Sequence, residues 1–252
     1  MAKRSARRNA REGVLNVQDF DRGERVRNLH VVEGGWSPAA NDRDQRFIKN
    51  VRAKSDGQQA LLNAIDQHSL VLALGPAGTG KTYLAIAKAV EALESNKVGR
   101  IVLSRPAVEA GETLGFLPGA MEDKLAPYLR PLYDALQDRL SAKRLKSLMA
   151  EGLIEIAPIG FMRGRTLNNA FVVIDEAQNC TYGQMKMLLT RLGWHSTMVV
   201  TGDPAQTDLL PNLSGLADVA DKLEELKNVS VVRLGDADIV RHPLVASMLG
   251  VL

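Results

Sequence analysis

The chain has 252 residues, of which 45% are hydrophobic and 24% are charged, a composition that is ordinary for a soluble globular protein. This length accommodates one α/β domain with a large core, together with an extension. The net charge of +3 permits binding to polyanions without requiring it. Cys180 is the only cysteine, which excludes an intrachain disulfide and favours a reducing compartment.

Membrane insertion and secretion are not expected from this sequence. No apolar run reaches the roughly 18 residues that a membrane-spanning helix needs. The basic N-terminus has no apolar segment behind it and therefore does not resemble a secretory signal. These features predict a cytoplasmic protein without a membrane partner.

The sequence divides into two parts of different character. Residues 1–54 form a basic extension, in which Met1–Arg11 is typical of a disordered arm and Glu12–Ser55 alternates charged residues with small apolar clusters. Residues 55–252 alternate predicted helices and strands. This alternation indicates an α/β domain with a mostly parallel sheet and helices on both faces.

Apolar patterning and turn residues predict the elements of this second part. The predicted strands are Leu70–Leu74, Arg100–Ser104, Leu153–Ala157, Phe171–Ile174, Thr197–Thr201 and Val229–Arg233. The first predicted helix is Gln58–Gln67, and the second runs from the glycine-rich loop that follows the first strand to about Glu94. The remaining predicted helices are Met121–Leu140, Leu145–Ala150, Gly183–Leu192, Leu213–Leu226 and Pro243–Leu249.

The glycine-rich loop has the spacing of a phosphate-binding loop. It reads Gly75-Pro76-Ala77-Gly78-Thr79-Gly80-Lys81-Thr82, after an apolar strand and before an Ala-rich helix. The glycines allow backbone N–H groups to close around phosphate oxygens, and the helix directs its positive end at them. Lys81 is then expected to reach the β- and γ-phosphates of ATP, and Thr82 to offer its hydroxyl to Mg²⁺. The alternative, a glycine-rich turn before an ordinary helix, leaves the full spacing unexplained.

A pair of acids indicates nucleotide hydrolysis in addition to binding. The run Ala170–Ile174 is apolar and ends in Asp175 and Glu176. Such a run fits a strand that is buried on both faces of a parallel sheet, with the acids at its carboxyl edge. Asp175 is placed to hold the Mg²⁺ shell, and Glu176 to orient or deprotonate an attacking water. The alternative is a solvated acidic pair at the end of a strand.

A third apolar run, Met198–Thr201, leads into the polar turn Gly202–Asp208. In a nucleotide-hydrolysing sheet, the strand beside the acid-bearing strand often carries a polar sensor of the γ-phosphate. Gln206 is the candidate for this sensor, with Asp203 and Thr201 as supports. Gly-Asp-Pro by itself indicates only a turn, so the prediction depends on its position in the chain.

These motifs belong to a longer pattern that resembles the PhoH-like proteins. That family consists of P-loop ATPases similar to the first motor domain of superfamily 1 helicases. The resemblance covers roughly residues 55–246 and leaves residues 1 to about 50 unmatched. Its stretches are Ser104–Glu112, Leu114–Gly119, Pro127–Asp134, Phe161–Thr166, Asp175–Asn179, Gln184–Lys186, Thr201–Asp203 and Val240–Val245.

The resemblance implies a RecA-like P-loop ATPase domain with ATP and Mg²⁺ as cofactors. It also implies RNA or another single-stranded nucleic acid as a partner, in RNA processing or unwinding. An association with phosphate starvation comes with the family, although no residue of the chain explains it. Gln58 lies where helicase-like motors have a glutamine that reads adenine, and an exposed helical glutamine is an equal alternative.

Several arginines lie near the predicted carboxyl ends of strands, where ligands bind to such sheets. Arg105, Arg163, Arg165 and Arg241 are each candidates to neutralise phosphoryl charge, to contact nucleic acid or to form a surface salt bridge. Arg241 fits best as a sensor or finger, because it opens an Arg-His-Pro segment.

The chain has one phosphate loop, whereas a helicase of the resembling superfamily closes two motor domains over one ATP. Either another subunit supplies the missing face of the site or the enzyme is slow. We expect a homo-oligomer, a six-membered ring, in which Arg163, Arg165 or Arg241 of one subunit reaches the ATP of the next.

Other interpretations remain open at this stage. Lys143, Arg144 and Lys146 form a basic cluster with Arg139 nearby, which either contacts nucleic-acid phosphates or is a solvated helix face. One rival function is a nucleotide-dependent binding switch without turnover, against which Glu176 argues. A second rival is a small-molecule phosphotransferase, which the adjacent acids and the arginine-rich loops disfavour.

Overall fold

The computed structural model describes residues 51–106, 121–210 and 212–240, and for residues 121–126 it describes the backbone only. Three predictions lie outside the described residues: the character of residues 1–50, the terminal helix Pro243–Leu249 and the role of Arg241.

The described residues contain six α-helices and six strands, besides three short 3-10 helices. The strands are β1 (Leu70–Leu74), β2 (Arg100–Arg105), β3 (Ile154–Pro158), β4 (Ala170–Ile174), β5 (Thr197–Gly202) and β6 (Val229–Arg233). The helices are α1 (Asp56–Gln67), α2 (Lys81–Glu94), α3 (Met121–Gln137), α4 (Ala142–Ala150), α5 (Tyr182–Leu189) and α6 (Leu216–Leu223).

The described strands form one parallel sheet in the order β3-β2-β4-β5-β1-β6. β1 and β4 are buried along their whole length, as expected for central strands that are covered on both faces. β5 lies between β1, which precedes the glycine loop, and β4, which precedes the acidic pair. The strand order therefore places the three predicted motifs side by side at the carboxyl edge of the sheet.

Two apolar cores cover the two faces of the sheet. Alternate strand residues, such as Val71 and Val173, pack with α1, α2, α3 and α4. The intervening residues, such as Leu72 and Val172, pack with α5 and α6 on the other face. The predicted fold class is thus confirmed: a RecA-like α/β domain with a parallel sheet and helices on both faces.

Within the described residues, the predicted elements agree with the structure within three residues at each end. The largest differences concern helix ends. α5 ends at Leu189, and Leu192, which the sequence predicts to be helical, pairs with Leu167 in an isolated parallel bridge. α6 begins only after Gly215, because Ser214 pairs with Thr181 in an isolated antiparallel bridge and is therefore not helical. Isolated bridges of this kind have a weaker sequence signal than apolar periodicity.

Candidate nucleotide-binding and hydrolysis site

The phosphate loop, residues 75–82, joins the carboxyl end of β1 to the first turn of α2. Gly75, Gly78 and Gly80 have positive φ angles of 144°, 86° and 82°. At Gly75 glycine is required for a second reason, because a Cβ there would lie 2.3 Å from the carbonyl oxygen of Leu234. The loop therefore runs against the chain that leaves β6. A glycine loop that opens a helix is the arrangement that binds phosphate in P-loop proteins.

Lys81 is buried inside this loop. Its Nζ donates to the carbonyl oxygens of Gly75 at 2.6 Å and Pro76 at 2.8 Å. Burial lowers the pKa of the Lys81 amino group, while the negative charges of Asp203, Glu176 and Asp175 act in the opposite direction. The amine that is predicted to bind phosphate thus lies close to all three acids.

Asp175 accepts two hydroxyl hydrogen bonds at the end of β4. Thr82 Oγ1 lies 2.5 Å from Asp175 Oδ1, and Thr201 Oγ1 lies 2.7 Å from the same oxygen. The Thr82 and Asp175 side chains meet although the two residues are 93 positions apart. A hydroxyl and a carboxylate are hard oxygen ligands of the kind that Mg²⁺ takes together with phosphate oxygens and water. These residues fit the metal role that the sequence predicts for them.

Glu176 has a left-handed backbone conformation, with φ at 53° and ψ at 40°. For a residue other than glycine this conformation costs about 1 to 2 kcal/mol. Its side chain is 37% exposed, and its Oε1 lies 3.5 Å from Nη2 of Arg105. Its Oε2 accepts a hydrogen bond of 2.5 Å from Nε2 of Gln178. Backbone strain of this kind clusters at active sites.

The turn after β5 lies beside these acids. The N–H of Asp203 donates to Oε1 of Gln178 at 3.2 Å, and the carbonyl oxygen of Asp203 accepts from the N–H of Gln206 at 3.0 Å. The Gln206 side chain is exposed. Thr201, which the sequence suggests as a support of Gln206, contacts Asp175 instead. The predicted sensor thus lies at the same edge of the sheet as the predicted metal ligand.

Gln58 is buried beneath the phosphate loop. Its Nε2 donates to the carbonyl oxygen of Thr79 at 3.0 Å, and its Oε1 accepts from the N–H of Lys54 at 2.8 Å. The alternative of an exposed helical glutamine is therefore wrong. The Gln58 amide thus holds the phosphate loop through Thr79. The prediction that Gln58 reads adenine does not include this contact.

One part of the site has no recognisable sequence signal. The carboxylate of Asp238 accepts from the N–H groups of Gly57 at 3.1 Å and Gly235 at 2.9 Å. Two residues later, the N–H of Val240 donates to the carbonyl oxygen of Gly78 at 2.9 Å. The chain after β6 is thereby fastened both to the start of α1 and to the phosphate loop. Gly57 and Asp238 are 181 positions apart, so no local sequence pattern pairs them.

The arginines that sequence reasoning singles out differ in their surroundings. Arg105 lies near both acids, with Nη1 at 3.8 Å from Asp175 Oδ2. Arg165 pairs with both carboxylate oxygens of Glu155, at 2.5 and 2.6 Å. Arg163 is exposed in the loop that follows β3. Arg165 thus has a partner within its own chain, and Arg163 is the more accessible of the two.

The basic cluster on α4 lies away from this site. Arg144 pairs with Glu94 at the C-terminal end of α2, whereas the phosphate loop is at the N-terminal end of that helix. Lys143 and Lys146 are exposed. The salt bridge to Glu94 supports the interpretation of a solvated helix face for Arg144, and the two lysines remain open to solvent.

A cavity of about 810 Å³ lies at the amino edge of the sheet, the edge opposite Asp175. Its lining includes the exposed Trp194 and Lys88, which pairs with Asp66 at 2.7 Å and with Glu91 at 3.2 Å. The charge of Lys88 is thus balanced by two acids of the same lining. The candidate chemistry lies at the carboxyl edge.

Two further sequence expectations concern the chain as a whole. Of the helices in the described part, none is long and apolar enough to cross a membrane. Cys180 is buried directly after the acidic turn, and burial raises the pKa of its thiol to about 12. It is thus a small core residue.

Comparison with known proteins identifies the family to which the chain belongs. A family model described as "PhoH-like protein" matches residues 50–252. The PhoH-like protein of Bacillus subtilis is 54% identical over 202 residues, which are 80% of this chain and 63% of that relative. The protein PhoH of Escherichia coli K12 is 44% identical over 246 residues, which are 96% of this chain and 68% of that relative.

The alignment with the Bacillus relative spans 63% of that protein's length, so part of that relative has no counterpart in this chain. Among solved structures, the large terminase of a thermophilic bacteriophage is similar, with 14% identity and a TM-score of 0.49. The match covers 77% of this chain and 49% of the terminase.

Proposed function

The chain belongs to the PhoH-like family and is a nucleotide-binding P-loop ATPase in fold, and we propose that it hydrolyses ATP with Mg²⁺. One observation carries the proposal. The Thr82 hydroxyl and the Asp175 carboxylate meet at the mouth of the phosphate loop, directly before Glu176. This contact brings the two candidate Mg²⁺ ligands together next to the candidate base, which supports the proposal.

In the proposed reaction, the phosphate loop and Lys81 bind the β- and γ-phosphates. Thr82 and Asp175 would hold Mg²⁺, which neutralises phosphate charge when it is bound. Glu176 accepts a proton from a water whose oxygen attacks the γ-phosphorus, and the bond to the β-phosphate oxygen breaks to release ADP and phosphate. Gln206 contacts the γ-phosphate as a sensor. We also propose that Gln58 contributes to adenine binding. Its amide would then have to give up its hydrogen bond to Thr79 or the one from Lys54.

Two substitutions test this division of roles. We expect Lys81→Ala to abolish ATP binding, because it removes the cation that contacts the ground-state phosphates. Glu176→Gln should retain binding and lose about 10²- to 10⁴-fold in turnover, because it removes only the base. Binding of a fluorescent ATP analogue and phosphate release measure the two effects. A Glu176→Gln variant that hydrolyses ATP at the wild-type rate would refute the assignment and redirect it to Asp203 or Gln206.

The same assay decides between this proposal and its two rivals. A binding switch would bind ATP but would release no phosphate in a Glu176-dependent way. A small-molecule phosphotransferase would release little phosphate until an acceptor is added. Steady release without an acceptor, abolished by Glu176→Gln, is expected for an ATPase.

For the partner, we propose RNA or another single-stranded nucleic acid, with a role in RNA processing or unwinding. Family membership and a calculated isoelectric point near 9.0 support this proposal. The exposed Lys143 and Lys146 are candidates to contact phosphates. Turnover with and without RNA, single-stranded DNA and duplex DNA is the test, and equal turnover in all of them would contradict coupling to nucleic acid. The single buried thiol is compatible with a cytoplasmic protein, which we also propose.

We further propose that the active form is a homo-oligomer, a six-membered ring in which one subunit supplies an arginine to the next. An arginine provided in this way contributes about 10³- to 10⁵-fold in related phosphoryl transfers. Because Arg165 is already paired with Glu155, Arg163 and Arg241 are the better donors.

Mixing Glu176→Gln protein with an inactive arginine variant should partly restore activity, since some interfaces then combine an intact base with an intact arginine. A monomer with full activity, measured by light scattering, would contradict the ring.

A further inference from the structure

We propose that Gln178 is a positioning residue for Glu176 and couples this carboxylate to the turn that follows β5. The proposal rests on the proposed hydrolysis, in which Glu176 accepts the proton of the attacking water. Gln178 does not contact the reacting atoms itself. It acts by fixing where the base points.

Both ends of the Gln178 amide are in use. The residue is 3% exposed, and its Nε2 donates to Glu176 Oε2 at 2.5 Å. Its Oε1 accepts from the backbone N–H of Asp203 at 3.2 Å. These two contacts also determine the orientation of the amide, because a flipped amide would bring its NH₂ group against the N–H of Asp203. A buried amide with both ends paired holds its partners in one arrangement.

The turn after β5 fits closely around Gln178. A Cβ at Gly202 would lie 2.8 Å from Gln178 Oε1 and 3.1 Å from its backbone nitrogen. The Thr207 hydroxyl donates to the carbonyl oxygen of Gln178 at 3.0 Å. The segment between these two contacts contains Gln206, the proposed γ-phosphate sensor. Gln178 therefore contacts the base on one side and the sensor turn on the other.

The backbone conformation and the exposure of Glu176 explain why its side chain needs a second residue to hold it. It follows the end of β4 in a left-handed conformation, and more than a third of its side chain is open to solvent. Arg105 approaches Oε1 only at 3.5 Å, so the hydrogen bond from Gln178 is the shorter restraint. With Oε2 held, Oε1 is the oxygen that remains to accept the proton from water.

The next residue provides a matched control. Asn179 is also buried and also ties this segment to the same turn, since its Nδ2 donates to Asp208 Oδ2 at 2.9 Å. Its Oδ1 accepts from the N–H of Asp208 at 2.8 Å. The two amides thus make the same pair of contacts, one to a carboxylate and one to a backbone N–H. Among these contacts only those of Gln178 include Glu176.

The experiment compares Gln178→Glu with Asn179→Asp. Each change keeps the oxygen that accepts from the backbone, removes the NH₂ group that donates to a carboxylate and puts a second carboxyl group beside that carboxylate. Misplacing a reacting group by about 1 Å can cost about 10²-fold in rate. We expect Gln178→Glu to lower kcat by about that factor with KM and analogue binding unchanged. Asn179→Asp should keep the wild-type kcat, even if its melting temperature falls as much.

Gln178→Ala provides a second variant that adds no charge and should lower kcat in the same way. Gln206→Ala combined with Gln178→Ala should lose less than the product of the two single losses, because the residues act through one network. Equal losses of kcat in Gln178→Glu and Asn179→Asp, or a loss confined to melting temperature, would overturn the proposal. If wild-type protein shows no turnover that depends on Glu176, the proposed hydrolysis fails instead.

Discussion

Replacing Thr201 by valine would test how the metal-ligand candidate is held. Thr201 is fully buried, and its hydroxyl donates to Asp175 Oδ1 at 2.7 Å. Valine has nearly the same shape but no hydroxyl, so the substitution removes this one donor. Asp175 keeps the hydrogen bond from Thr82, which comes from a different element of the fold. The carboxylate then loses the partner that holds it from the side of β5.

The magnitude follows from the nature of the bond. A hydrogen bond to a charged group contributes about 1.5 to 3 kcal/mol to stability, so we expect a loss of about 2 kcal/mol. For a domain of this size, 1 kcal/mol shifts the melting temperature by about 2 to 4 °C, which predicts a decrease of about 4 to 8 °C. Mutating a residue that hydrogen-bonds to a metal ligand typically costs about 10- to 100-fold in metal affinity or activity. The Mg²⁺ concentration that half-maximal turnover requires should therefore rise by that factor.

Thr201→Ser is the control, because it keeps the hydroxyl and removes only a methyl group. Burial of one such group contributes about 0.8 kcal/mol, so the control should melt about 2 to 3 °C below wild type with an unchanged Mg²⁺ requirement. Calorimetry and a Mg²⁺ titration of phosphate release measure both quantities. If Thr201→Val were as stable as Thr201→Ser and needed no more Mg²⁺, the hydroxyl would not be holding Asp175.

Two further predictions follow from shifted pKa values. Cys180 is fully buried, and burial raises the pKa of its thiol to about 12. Iodoacetamide at pH 8 should therefore modify this thiol only after the protein unfolds. Rapid modification of the native protein, detected by mass spectrometry, would contradict this prediction. Hydrogen bonds from the Ser55 hydroxyl and from the N–H groups of Gly235 and Gly57 lower the pKa of Asp238 below its usual 3.8. The stability that Asp238 contributes is therefore present above pH 3.8 and is lost as the pH falls through its folded-state pKa. Urea unfolding should show Asp238→Asn less stable than wild type at pH 7 and the two converging on acidification, whereas a constant difference would exclude the ionised carboxylate as the cause.

Much of the fold could be read from local patterns. The run Leu70–Leu74, the glycine loop and the Ala-rich helix are contiguous, so propensity, apolar periodicity and the left-handed glycines all act within a short stretch of chain. The same holds for the run that ends in Asp175 and Glu176. Because parallel strands end at a common edge, these local patterns also indicated where the candidate site lies.

The choice of partners within the site depends on contacts between distant residues. Thr201 holds Asp175 rather than Gln206 because β5 lies directly beside β4 in register, with Val200 opposite Ile174. Likewise, Asp238 reaches Gly57 only because β6 pairs with β1 and returns the chain to the start of α1. A side chain can form a hydrogen bond or ion pair with a residue at any distance along the sequence. Its partner is therefore set by strand order and burial, which exist only once the sheet has formed.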